Sequence, residues 1–187
     1  MTRIKVIQED EATGQLKEIY DQLIQSRGKL AEVHKIQSLN PKTIMSHMEL
    51  YMDIMYAKSP LSRAQREMMA VVVSRENKCP YCIRHHAEAL DRYWKDKERL
   101  DQLIEGKDRS IMEETEILLA TLAKELTLHP SSEQIENIIE ALRVKGLEDR
   151  AILDATLVIA YFNFVNRIVL ALGVELEEDA GKGYRYE

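Results

Sequence analysis

The sequence predicts an all-α fold, a multi-helix bundle, and three observations carry that expectation. Turn formers are scarce, with 7 glycines and 4 prolines in 187 residues, too few for the many reverse turns of a sandwich or barrel. The chain is 45% apolar and 31% charged, rich in Leu, Ile, Ala, Glu, Lys, Met and Gln, residues that favour helices. Those apolar residues recur three and four apart, the period of a helix with one buried face. The length suits about one domain with its own core.

Each helix announces itself in turn. Residues 15–27 place Leu16, Ile19, Tyr20, Leu23 and Ile24 on one face, and Gly28 ends the run. Residues 29–40 read as a connector or short helix. Asn40-Pro41 then starts a helix whose Ile44, Met48, Tyr51, Met52 and Met55 form a core stripe ending near Tyr56. Ser59-Pro60-Leu61-Ser62 is the clearest punctuation: Ser62 with Gln65 makes a capping box for residues 62–75. Pro80 restarts a helix that runs to about Trp94. A second box, Ser110 with Glu113, leads a helix to about Leu126, and His129-Pro130-Ser131-Ser132 turns into another that ends at Val144 before Gly146. The last helix, about 148–172, is apolar almost all round and is expected at the centre of the fold. Its tail, 173–187, is polar and is expected to fray or pack on a neighbour.

The net charge is -6, from 26 Lys and Arg against 32 Asp and Glu. No basic field is present to recruit phosphate backbones, so nucleic acid is not an expected partner. Asp154, Asn163, Asn166 and Arg167 interrupt the longest apolar stretch, residues 151–172, which reads as a core helix and not a membrane span. Asn163, Asn166 and Arg167 are expected in an inter-helix or inter-subunit ion pair. Residues 1–10 lack the apolar region of a signal peptide, so the expected location is cytoplasmic.

The chemistry concentrates in residues 66–86. Two cysteines spaced C-x-x-C, Cys79 and Cys82, point to a redox or metal role in an intracellular chain of this size. With Pro80 in the first helical position, Cys82 falls in the first turn, where free N–H groups and the macrodipole favour an anion. The Cys82 thiolate is therefore expected to be stabilised and nucleophilic, with Cys79 one turn away to resolve an oxidised Cys82 as a disulfide. His86, four residues after Cys82, shares its helix face; His85, three after, is an auxiliary candidate or a surface residue. Glu67 stands at the end of an apolar segment where a carboxylate needs a partner. Zinc prefers four ligands, and one helical turn offers three, so the metal reading needs a donor from elsewhere. His34, His47 and His129 have no acidic or thiol neighbours at ligand spacing and read as structural or exposed.

Glu67, twelve residues before Cys79, followed by Cys79-x-x-Cys82-x-x-x-His86, resembles the catalytic signature of the carboxymuconolactone decarboxylase superfamily, in its alkylhydroperoxidase D-like (AhpD-like), peroxidase-related branch. Residues 166–177 resemble the closing segment of that branch. The resemblance implies a single AhpD-like helical domain over 1–187, with 1–60 as an N-terminal helical extension, assembled as a trimer or hexamer without metal or organic cofactor. It implies that Cys82 is the peroxidatic cysteine, Cys79 the resolving one, and Glu67 with His86 the proton relay. The family pattern has a histidine between the cysteines, whereas Tyr81 stands there in this chain. Tyrosine is no base at neutral pH, so the relay is shortened or runs through His85.

The expected activity is reduction of a small-molecule hydroperoxide, reset by an external dithiol such as a lipoyl-bearing protein. A redox-responsive binding or chaperone-like protein, using the same disulfide as a switch, is the alternative from another class. Lactone decarboxylation, the other activity of the superfamily, has no use for a dithiol.

Overall fold

The computed structural model describes residues 2–107, 110, 112–177 and 183. Among them are nine helices and no strand: α1 Gly14–Arg27, α2 Glu32–Lys35, α3 Pro41–Met55, α4 Arg63–Glu76, α5 Pro80–Trp94, α6 Lys97–Glu105, α7 Glu114–Leu128, α8 Gln134–Val144 and α9 Asp149–Leu172. The all-α expectation holds.

Local chemistry sets most boundaries. Gly28 adopts φ 86° and its N–H returns to the Ile24 carbonyl, closing α1 in the left-handed cap that glycine takes without strain. Pro41 and Pro80 open α3 and α5 from the first turn. Ser62 and Gln65 form the reciprocal capping box expected at α4.

Two elements differ from expectation. Sequence reading passed over α6, although Asp96 caps the Arg99 amide and Leu100 and Leu103 are buried. The helix expected from Ser110 begins at Glu114 instead, because the Glu116 carboxylate accepts from the Glu113 N–H and supplies the box one turn later.

The centre of the molecule is α4, not α9 as expected. Met68, Met69, Ala70, Val71, Val72 and Val73 are all fully buried, and α4 packs against α5, α6, α7 and α9. Each large apolar side chain so buried contributes about 1.5–3 kcal/mol. Helix α9 leaves Leu153, Leu157, Phe164 and Leu170 exposed along one side, which is why it reads as apolar all round without being central. It is long and apolar enough to cross a membrane, yet it packs on α3, α4 and α7 and buries Asp154 and Asn166. A smaller apolar cluster joins α1 to α3 through Leu16, Ile19, Tyr20, Leu23, Ile44 and Met48. It holds the N-terminal helices over one end of α5 and α9. Residues 178–182 and 184–187 of the expected polar tail lie outside the described residues.

Candidate active site

Helix α5 positions the cysteines. Cys79 is the N-cap residue, in extended conformation, and its N–H donates to the Ser74 carbonyl at 2.9 Å. Cys82 is the third residue of the helix. Both are free thiols, and neither is more than 2% exposed.

The helix-start effect falls on Cys79, correcting the expectation for Cys82. A hydrogen bond from the Cys82 thiol, followed by the Cys82 and Tyr81 amides, holds Cys79 below the usual thiol range against the opposing effect of burial. The side chain of an N-cap residue meets the amides of the second and third helical residues, whereas the third residue's own side chain lies past them. Its hydrogen bond to Cys79, then burial, push Cys82 well up, with Asn166 opposing. The pair therefore carries its first negative charge on Cys79, with the Cys82 proton shared towards it.

Glu67 and His86, the pair expected as a relay, meet across two helices. Glu67 on α4 is fully buried, and its Oε2 lies 2.7 Å from Nδ1 of His86 on α5. Its other oxygen accepts from Arg63 Nε at 2.9 Å and Nη2 at 2.6 Å. Burial pushes the carboxyl up, but His86 and Arg63 outweigh it and hold Glu67 below its ordinary value. Arg63 is itself fixed by the Met55 carbonyl at 2.9 Å and by the Tyr56 ring, 3.7 Å below the guanidinium. With Nδ1 turned to Glu67, His86 keeps Nε2 for the cavity it lines.

That cavity, about 90 Å³, is where the site opens. Cys82 and His86 line it together with residues from the N-terminal helices and α9, among them His34, His47, Tyr51 and Tyr161. His34 and His47 line its wall and are neutral: desolvation, then the neighbouring His47 and Arg27, lower His34 to about 3, and desolvation lowers His47 to about 4. Among the described residues no group of three His, Cys, Asp or Glu is arranged to hold a metal ion.

Tyr81 and His85 serve a strap instead of the relay. The Tyr81 hydroxyl donates to Glu177 Oε1 at 3.0 Å, His85 Nε2 lies 2.8 Å from Oε2, and the Glu32 amide donates to the same carboxylate at 3.1 Å. Burial opposes ionisation of Glu177, but His85 and the Glu32 amide lower it to about 2. The C-terminal segment is thereby tied to α2 and α5 beside the cavity. His85, for which a surface position was one expectation, is a half-buried member of an ion pair.

Several site residues escaped the sequence reading. Arg63 was signalled by its i,i+4 spacing to Glu67. Asn166, expected in an ion pair, donates to Ser74 Oγ at 3.3 Å and sits beside Cys82. Asn163 bonds to Asn77, Thr127 and Arg167. His47 and Tyr161, 114 positions apart, had no local signal at all; their side chains meet at 2.6 Å.

Residues 44–108 match the carboxymuconolactone decarboxylase family. That stretch contains Glu67, Cys79, Cys82 and His86. The whole chain is similar to a peroxidase-related protein from Silicibacter sp. TM1040, 26% identical, covering 99% of this chain and 100% of that one with a TM-score of 0.81. It also shares its fold with a peroxidase-related protein from Ralstonia eutropha JMP134 described as an AhpD core, 20% identical over 96% and 94% of the two chains, TM-score 0.84. The debrominase Bmp8, solved as a C82A variant with 2,3,4-tribromopyrrole, has the same fold at 17% identity, covering 96% of each chain, TM-score 0.77. One fold thus hosts more than one activity.

Proposed function

With a carboxymuconolactone decarboxylase family domain at residues 44–108 inside an AhpD-like fold, this chain is an AhpD-like member of that superfamily, and we propose that it is a thiol-dependent peroxidase. The observation that carries the proposal is that Cys82 faces a cavity also lined by His86, while a second thiol and a buried carboxylate back the two groups from behind. Cys79 is sealed from the cavity and Cys82 is not, so Cys82 is the attacking sulfur.

The resting pair is a Cys79 thiolate hydrogen-bonded by the Cys82 thiol. As Cys82 sulfur bonds to the terminal oxygen of a hydroperoxide, its proton passes to Cys79 and the O–O bond breaks. The leaving oxygen takes its proton from His86, held by Glu67, and departs as an alcohol. Cys82 is now a sulfenic acid and Cys79 a thiol. Attack of Cys79 on the Cys82 sulfur forms the disulfide and breaks the S–O bond, and the Cys79 proton leaves with the hydroxyl as water. An external dithiol, in our reading a lipoyl-bearing protein of the cytoplasm, exchanges with the disulfide and is itself oxidised; of its two protons one returns to Cys82 and one to His86, which restores the starting pair. The cycle needs no metal or organic cofactor. Purified protein supplied with dihydrolipoamide should consume tert-butyl hydroperoxide catalytically, and Cys82→Ser should abolish turnover; undiminished turnover in that variant overturns the assignment.

A further inference from the structure

A chain of hydrogen bonds on the cavity wall opposite the relay fixes the direction of one proton. The Val33 carbonyl, which can only accept, lies 2.8 Å from Gln37 Nε2, so that atom is the amide nitrogen. The same nitrogen lies 2.8 Å from Nδ1 of His47 and donates its second hydrogen there. Nδ1 is therefore the acceptor and Nε2 carries the hydrogen of the neutral ring. Nε2 lies 2.6 Å from the Tyr161 hydroxyl and donates to its oxygen. Among the described residues His47 is the partner of that hydroxyl, so the hydrogen of Tyr161 itself is left for the cavity.

We infer that Tyr161, oriented by His47 and Gln37, presents its O–H to the cavity as the hydrogen-bond donor for an oxygen of the bound ligand, and that the site accordingly takes a compact group bearing an acceptor oxygen. Tyr161 and Cys82 line the same cavity, and burial, followed by the proximity of Cys82, keeps the phenol protonated well above its ordinary range. Compactness follows from the volume. A cavity of about 90 Å³ is smaller than the roughly 150 Å³ of an engineered apolar cavity that admits benzene, so the part of a ligand held inside it is compact. Val33, Met48, Phe162 and Val165 give the wall apolar surface, and Arg27, Tyr81 and His85 add polar groups to it. The inference rests on the peroxidase reading only for the identity of the oxygen: in that cycle it is the leaving oxygen, whose negative charge grows as the O–O bond breaks. A donor already aimed at that position stabilises the transition state more than the ground state.

Two unreactive probes, cyclopentanone and cyclopentane, separate the donor from the cavity and from the chemistry. Their affinities are read by chemical-shift titration of the whole protein. Tyr161→Phe should weaken the ketone about five- to tenfold, the value of one hydrogen bond, and leave the hydrocarbon within a factor of about two. His47→Leu should lower the ketone-to-hydrocarbon affinity ratio in the same way, and His47→Gln, whose amide can donate to the same oxygen, should restore it. A merely structural loss would move both probes together. Equal effects on the two, no effect of Tyr161→Phe, or no saturable binding of the ketone to the parent protein would overturn the inference. Turnover gives a separate arm. If the parent binds the ketone through Tyr161 but consumes no hydroperoxide, the peroxidase reading fails and the donor stands. If it does consume hydroperoxide, Tyr161→Phe should slow tert-butyl hydroperoxide reduction about ten- to a hundredfold.

Discussion

At the scale of single residues, charge and access fall on different sulfurs. Cys79, capping α5, is the more acidic thiol, and Cys82, facing the cavity, is the one held protonated. In the proposed cycle Cys79 is both the first acceptor of the Cys82 proton and the later resolving nucleophile. Cys79→Ser should accordingly slow the first step, and it should stop the second completely. Treatment with one equivalent of hydroperoxide should leave a sulfenic acid on Cys82 of that variant, trapped by dimedone and seen by mass spectrometry, where the parent shows none. Glu67 is a second sensitive point. Glu67→Gln strips the half-buried Arg63 and His86 of their shared counter-charge and should cost roughly 3 kcal/mol in urea denaturation as well as turnover. The spacings of Glu67, Cys79, Cys82 and His86 made these four legible in sequence. The distribution of charge within the dithiol was not, because it depends first on the hydrogen bond between the two thiols and then on burial, and neither has a local signal in the sequence.

At the scale of elements, the site is a junction of segments distant in sequence. Helices α4 and α5 carry Glu67, Cys82 and His86 and were read with nearly correct bounds, since proline and capping serine mark their starts. Their partners were not legible. Helix α2 is one turn long, and Glu177 belongs to a segment with no regular structure, so neither has periodicity to detect. The strap they form with Tyr81 and His85 is sensitive to acid. Glu177 has its pKa lowered from 4.5 to about 2 in the fold. Its contribution is thus complete above about pH 4.5 and is lost as the pH falls towards 2. Hydrogen exchange of the Glu32 amide, which donates to this carboxylate, should accelerate over that window relative to its intrinsic rate. In Glu177→Gln the acceleration should be absent and the exchange fast throughout.

At the scale of the whole molecule, the all-helical architecture followed from composition and period, whereas the identity of the central helix did not. Composition made α9 the candidate; packing made it α4, because α9 leaves an apolar line of Leu153, Leu157 and Phe164 on the surface. The expected homo-oligomer, a trimer or hexamer, is consistent with such a line, and sedimentation of the parent against Leu157→Lys tests it: the parent should sediment as the oligomer and the variant as a smaller species. Global stability should also follow the two neutral histidines. Both are lowered from 6.5, His47 to about 4 and His34 to about 3, so their stabilising contribution is complete above pH 6.5 and declines as the pH falls through these values. For His47 alone the loss approaches about 3 kcal/mol. Urea midpoints should drop between pH 6.5 and 4, and His47→Gln should flatten the slope.

The central claim, a Cys79–Cys82 dithiol that reduces a hydroperoxide, is tested most directly in a single turnover without reductant. Reduced protein mixed with one equivalent of tert-butyl hydroperoxide should yield one equivalent of tert-butanol. The intact mass should fall by two hydrogens, and a Cys79–Cys82 disulfide should appear in the peptide map. Both thiols still titratable, with the hydroperoxide unconsumed, would contradict it.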